Sequence, residues 1–405
     1  MADGKFAWAP SSGMLPSGIE EYGDGYRSYF EEGHVDIEEG SGDSEEGIVS
    51  GASIGEVMAG IQKMEMITSD PDFHSRCCQL MMFKPAREIT SEQTGYLWVQ
   101  EILCGHDICC YEMFRMEKHV FLKFCDELVE QGLKSTRQMG VQEMVAMFLN
   151  TVGHGVGNRM IQERFQHSGE TVSRHFHEVL VACLRLSIKY IKPSDPKFQN
   201  VHSKIKNDQR YWPFFKNAIG AIDGTHIPCV VSPSDQPKFI GRKGYPTQNI
   251  MAVCDWDMCF IFALPGWEGT AHDARVFDNA ITTPTMNFPH PPPGKYYLVD
   301  AGYPTPKGYI GPYKCERYHL ADFRRSSGFT NHNEIVCATM AIHNFIRRHS
   351  ETDTEFNQYE HANILDGEDN SYVGENSDQT LTISSSAEMD RVRDSIRDQI
   401  INHMQ

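Results

Sequence analysis

Three aspartates stand at the borders of apolar runs in one stretch of this chain. Asp223 closes the run in AIGAIDGTHIP, Asp273 opens a helical pattern in GTAHDARVFDNA, and Asp300 closes the run in YYLVDAGYPT. An unpaired carboxylate at the end of a buried strand costs roughly several kcal/mol of desolvation, so each needs something to offset it. Hard divalent cations are one answer. Mg²⁺ or Mn²⁺ takes a few carboxylate oxygens and completes its shell with waters and substrate phosphates. Two such ions about 4 Å apart activate a water and stabilise the leaving oxygen in phosphodiester cleavage. Each aspartate also has a plainer reading. Asp223-Gly224 can be a turn, Asp273 a helix N-terminal charge worth a few tenths to about 1 kcal/mol, and Asp300 with Gly302 a loop. Ligands of α/β sheets gather where strands end and helices begin, so three such positions in one α/β segment also fit a shared site.

The elements that must position these residues are readable from periodicity. Apolar runs at 218–222, 226–231, 249–254, 259–264 and 296–299 predict strands, the third and fourth joined by the hairpin-like turn Asp255-Trp256-Asp257-Met258. A helix is expected from about Ala271 through Val276 and Phe277 to Ile281, and a last strong one over 334–348 with Ile335, Ala338, Ile342 and Phe345 on one face. Between strands, KFIGRKGYPTQN carries Lys238, Arg242 and Lys243, a basic loop suited to phosphate contacts. His226 and His272 flank the aspartates, suited either to orienting substrate or water or to packing.

Upstream, segments 98–103, 117–130 and 141–152 have helical spacing, the third with Val141, Met144, Val145, Phe148 and Leu149 along one face. A short helix over 158–165, a tight turn at Gln166-His167 and a second helix capped by Ser168 and running to about Leu186 make a helix-turn-helix candidate. In that motif the second helix enters the major groove, and Arg174, His175 and His177 are its expected exposed polar set. Plain helix packing is the alternative.

Composition sets the frame. The chain has 405 residues, 40% of them apolar, enough for a sizeable core. No apolar run approaches the ~20 residues of a membrane span, and the N-terminus lacks a signal pattern, so a soluble intracellular protein without a membrane partner is expected. The 12 cysteines form no C-x-x-C pair, which argues for reduced thiols rather than structural zinc. The net charge of −18 is uneven: residues 1–50 hold 2 Lys+Arg against 12 Asp+Glu, residues 350–405 hold 3 against 13, and residues 201–349 hold 16 against 12. The acidity lies in the tails, and the segment with the three aspartates is mildly basic, compatible with nucleic acid. The expected organisation is a disordered acidic region over 1–70, a helical domain over 90–190, a linker over 191–214, an α/β domain over 215–349, and an acidic tail over 350–405 with a short amphipathic helix near Met389–Ile400.

IDGTHIP, then GYPTQNIMAVCDWDMCFIFALPGWEGTAHDARVF, then YYLVDAGYPTPKGYIGPYK, then ATMAIHNFIRR resemble the nuclease domain of Harbinger-type DDE transposases and their domesticated plant relatives. Residues 95–190, with MEKHVFLKFCDEL, VAMFLNTVGHG and QERFQHSGETVSRHF, resemble the helical region that precedes it in the plant members. The resemblance implies an RNase H-like α/β fold and a divalent-metal site held by Asp223, Asp273 and Asp300. It also implies a fourth acidic ligand, a Glu on a helix after the Asp300 strand. Here the sequence departs from the family: after YHLADFRR it passes through SSGFTNHNE directly into the final helix, and the segment that carries that Glu has no counterpart. Glu334 is the first substitute to consider, Glu316 and Asp322 the next.

Two functions follow. One is a transposase-derived, Mg²⁺- or Mn²⁺-dependent nuclease that hydrolyses phosphodiester bonds in DNA. The other is a catalytically inactive domesticated transposase acting as a nuclear protein-binding or chromatin-associated factor. The resemblance implies a nuclear location, and a separate DNA-binding or chromatin protein as partner.

Overall fold

The computed structural model describes residues 91–241, 243–313, 333–350 and 384–404. The expected disordered region over 1–70 therefore lies outside the described residues, as do Glu316, Asp322 and Arg242.

Six helices come first: α1 (Gly95–Cys104), α2 (Asp107–Phe114), α3 (Lys118–Glu130), α4 (Val141–His154), α5 (Asn158–Phe165) and α6 (Gly169–Tyr190). Their periodic apolar faces close one core in which Phe114, Phe121, Phe124, Phe148 and Phe165 are fully buried. The expected capping is present: Gln166 ends α5 in the left-handed region, and the Ser168 hydroxyl accepts from the Thr171 amide at the start of α6. Asn158 ties the two helices through its amide to Ser173 Oγ at 3.1 Å. The expected exposed set on α6 needs correction. His175 is 2% exposed and turns into the core, because the apolar stripe of Val172, Val179 and Cys183 places it on the packed face. His177 is half-buried and bonded through Nδ1 to the Ser173 carbonyl, whereas Arg174 is exposed beside Glu170, 3.6 Å away.

Residues 191–214, read from the sequence as a linker, hold the short helix α7 (Ser203–Asn207) and bury Ile191 and Ile205. Then come β1 (Ala218–Pro228), α8 (Gln236–Phe239), β2 (Thr247–Cys254), β3 (Phe260–Glu268), α9 (Asp273–Thr282), β4 (Tyr296–Val299) and β5 (Tyr309–Ile310). They form one sheet in the order β3-β2-β1-β4-β5, with β2 antiparallel to both β1 and β3, and β4 parallel to β1 and β5. The expected hairpin turn joins β2 to β3, with Asp255 Oδ1 accepting from the Asp257 and Cys259 amides.

Two expected strands, 218–222 and 226–231, are a single strand. β1 runs through Asp223-Gly224 because β2 keeps pairing beyond them, Asp223 with Ala252 and Gly224 with Met251. Asp223 therefore sits within β1 and does not end it. What ends there is the pairing with β4, whose last partners are Ile222 and Val299.

The sheet has two covered faces. Met251, Val253, Phe262 and Leu264 pack with Val276, Phe277 and Ala280 of α9. Ile250, Ala252, Phe260 and Ala263 pack with Val336, Met340 and Ala341 of α10 (Asn333–His349). The opposite side of α10 carries Cys337, Ala338, Ile342 and Phe345 into the helical core, where Phe345 meets Phe124 at 5.1 Å and Tyr190 at 5.5 Å between ring centres. Between them Asn344, fully buried, bonds the amide and carbonyl of Phe260, both at 2.7 Å, and the Tyr190 carbonyl at 3.0 Å. Its side chain thereby satisfies edge-strand backbone that would otherwise be buried unpaired.

The C-terminal tail also departs from expectation. Residues Ala387–Met404 form α11, longer than the short helix read near Met389–Ile400, and this part of the tail is ordered against the sheet. Met389, Val392 and Ile396 cover Ala218, Tyr296, Leu298 and Ile310, while the Ser386 amide donates to the Thr305 carbonyl at 2.9 Å. The burial of an apolar stripe outweighs the acidity of the surrounding segment.

Candidate nuclease site

The three aspartates lie on neighbouring elements: Asp223 within β1, Asp300 just after β4 and Asp273 at the start of α9. Ile222 and Val299 are the last paired residues of parallel strands, so Asp223, still within β1, and Asp300, just past β4, follow neighbouring positions where that pairing stops. Both are exposed. Asp273 arrives from the α9 face as the first residue of its helix, with His272 at the N-cap position making no side-chain capping bond. Alternation along β1 puts Gly224 on that same face, and there the chain has no side chain to spare. A Cβ on Gly224 would lie 2.6 Å from Asp273 Oδ1 and 3.1 Å from the Tyr303 hydroxyl. The glycine is what lets the Asp273 carboxylate reach the backbone next to Asp223.

Buried polar groups surround this end. The Asn249 amide, on a residue 1% exposed, donates to Asp273 Oδ1 at 2.7 Å and to the Ala271 carbonyl at 3.1 Å. Its own Oδ1 is buried without a partner, as are Gln248 Oε1 and the Tyr303 hydroxyl. Tyr303 lies among all three carboxylates: burial first, then the charges of Asp273, Asp223 and Asp300, push its phenol far above the usual range, so it is a proton donor throughout. On the next turn of β1, His226 bonds through Nδ1 to Thr247 Oγ1 at 3.3 Å. Its pKa is lowered by burial and by Lys243, with Asp273 pulling the other way.

The predicted basic residues divide. Lys243 belongs to this end: its ammonium lies 3.4 Å from the His226 carbonyl oxygen, and partial burial lowers its pKa. Lys238 is exposed on α8, in a loop fixed by Thr270, whose amide and hydroxyl both donate to the Lys238 carbonyl. Close backbone contact helps, since a Cβ on Gly241 would lie 2.4 Å from the Gly269 carbonyl oxygen. Arg174 stands apart in the helical region. Glu334 occupies the first turn of α10, whose start abuts Gly266 near the end of β3, two strands from Asp223.

The donors suit a hard cation in kind: three carboxylates, two of them exposed. Among the described residues, however, no three His, Cys, Asp or Glu side chains are drawn close enough together to hold a metal ion. Sequence reasoning found the aspartates and missed their support. Asn249 shows in the sequence as a polar residue opening an apolar strand run, and Tyr303 as the third residue after Asp300; Gly224 reads as a turn residue until its strand partners are known.

Residues 222–357 match the family described as DDE superfamily endonuclease, and residues 90–185 match a domain of unknown function, DUF8040. The resemblance read from the sequence is borne out: the chain carries a DDE superfamily endonuclease domain over the segment that holds all three aspartates. It is also similar to "Protein ALP1-like" of Arabidopsis thaliana, 29% identical over 168 residues, 40% of this chain and 36% of that protein. The chain thus spans about a third of the length of the curated relative it matches. No solved structure matches it. DDE superfamily endonucleases generally use divalent metal ions. Among the described residues, no helix is long and apolar enough to cross a membrane.

Proposed function

We propose that residues 215–349 form an RNase H-like, divalent-metal-dependent nuclease domain acting on phosphodiester bonds in DNA. What supports this reading is that Asp223 and Asp300 follow neighbouring positions of parallel strands and Asp273 packs against Gly224, all inside the segment that matches the DDE endonuclease family. In this reading the three aspartates hold Mg²⁺ or Mn²⁺, which supplies a Lewis acid for the phosphate and an activated water. The chain's own residues do the rest. Gly224 admits Asp273 to the strand, Asn249 orients its carboxylate, and Lys243 offers a cation to a phosphate beside the acids. Lys238 and Arg242 extend that contact along the loop, and Arg174 gives the helix-turn-helix-like pair a phosphate contact. The protein acts in the nucleus, with a separate DNA-binding or chromatin protein as partner.

One observation favours a second reading, a binding factor that cuts nothing. The sequence passes from Arg325 to α10 without the Glu-bearing segment the family resemblance requires, and Glu334 sits two strands from Asp223. Removing one charged group of such a site costs about two to three orders of magnitude in rate. The test is Mn²⁺ binding and plasmid nicking by the full chain and its Asp223→Asn variant. Binding and nicking that both vanish in the variant support the nuclease. Binding without nicking supports the second reading, and no binding overturns the metal site itself.

A further inference from the structure

Tyr303 has a ring and a hydroxyl that ask for different explanations. The ring is ordinary core: 3% exposed, edge-on to Phe277 with centres 5.5 Å apart. A phenylalanine would fill that place. The hydroxyl is not ordinary, because it is buried and has no hydrogen-bond partner, an arrangement that costs stability and that native cores seldom keep. Its surroundings are specific. The space beside Gly224 is shared by this oxygen and by the Asp273 carboxylate, each within contact of where a Cβ would stand: 3.1 Å for the Tyr303 Oη, 2.6 Å for Asp273 Oδ1 and 2.9 Å for Asp273 Cγ. Asp273 Oδ1 already receives the Asn249 amide at 2.7 Å. The phenol oxygen and this carboxylate thus border the same small space beside Gly224.

We propose that Tyr303 is a positioning residue of the aspartate cluster: when the carboxylates close on a divalent cation, its hydroxyl donates to Asp273 and, with Asn249, fixes which oxygen faces the ion. This rests on the metal-site reading above. Carboxylates that ligate metals are regularly held by such donors, and losing one typically weakens metal binding about 10–100-fold. Gly224 is then required twice, once for the carboxylate and once for the hydroxyl that meets it.

The test is Tyr303→Phe in the full chain, read by Mn²⁺ titration with electron paramagnetic resonance and, separately, by thermal melting without metal. The expected result is a split: Mn²⁺ affinity falls about 10–100-fold, while the metal-free melting temperature stays or rises because an unpartnered buried hydroxyl has been removed. A merely structural tyrosine would lower both, and that outcome overturns the inference. So does Tyr303→Phe binding Mn²⁺ like the parent while Asp223→Asn binds none; that result leaves the metal site standing. If the parent itself binds no Mn²⁺, the metal site and the role of Tyr303 fall together.

Discussion

The helical core and the acidic end of the sheet follow opposite rules. Among the helices, the fully buried residues are mostly phenylalanine and aliphatic, and the two buried charged-type side chains are paired: Glu143 with His167 and His175 with Glu178, each at 2.8 Å. In the sheet region, Gln248, Asn249, Trp267 and Tyr303 each bury a polar atom that finds no partner, and at Gly224 the backbone comes within contact of Asp273. A region selected only for stability removes such atoms. A region that keeps several of them around three carboxylates carries a cost that binding can offset.

The comparison can be broken most severely where the regions join. Phe345→Ala removes a fully buried ring from the helical core and should cost about 3–5 kcal/mol in urea denaturation. Because α10 packs on the sheet with its other side, the helical and sheet signals should lose stability together. Independent transitions, with the sheet unaffected, would show that α10 does not couple them.

A sharper contrast comes from two glycines a few residues from the carboxylates. Gly224→Ala forces a methyl to 2.6 Å from Asp273 Oδ1, whereas a Cβ on Gly302 meets nothing within 4 Å. The first should cost about 1–3 kcal/mol and abolish Mn²⁺ binding; the second should change stability by no more than about 0.5 kcal/mol. Equal effects from both would mean that the crowding at Gly224 relaxes easily and that the site is looser than its geometry indicates.

The smallest effect concerns pH. Burial lowers the His226 pKa below its unfolded value of about 6.5. The unfolded chain then binds the proton first, so stability is lost as pH falls below about 6.5 and rises as pH climbs back. His290 and His349 are lowered for the same reason and act in the same direction. His226→Gln should make the acid loss shallower without removing it, as followed by melting temperature between about pH 5 and 7. An unchanged pH profile would place the titration elsewhere.

Much of this organisation was legible in the sequence where the signal is local. Ser168 announced the start of α6, the 3.6-residue stripe gave α4, and Asp255-Trp256-Asp257-Met258 gave the hairpin. The aspartates were legible as borders of apolar runs. What failed depended on partners distant in the chain. Asp223-Gly224 looks like a turn, and only pairing with β2 carries the strand through it. His175 looks polar and exposed until α6 is rotated against its neighbours. The amphipathic stripe of the acidic tail was legible, but the surface of β1, β4 and β5 that it covers was not. Tyr303 and Asn249 belong to the site through the sheet register and the approach of α9, neither of which has a local signature.

The dual packing of α10 also imposes an order in time. Asn344 closes a bond to the Tyr190 carbonyl across 154 residues of sequence. During synthesis at about 5–20 residues per second, the first six helices wait on the order of ten seconds for the segment that completes them. Until it emerges, the slot for Phe345 between Phe124 and Tyr190 is an open apolar surface on a nascent chain. The chain is therefore most exposed to aggregation, and most in need of a chaperone, after its helical half has been made and before its sheet half is finished.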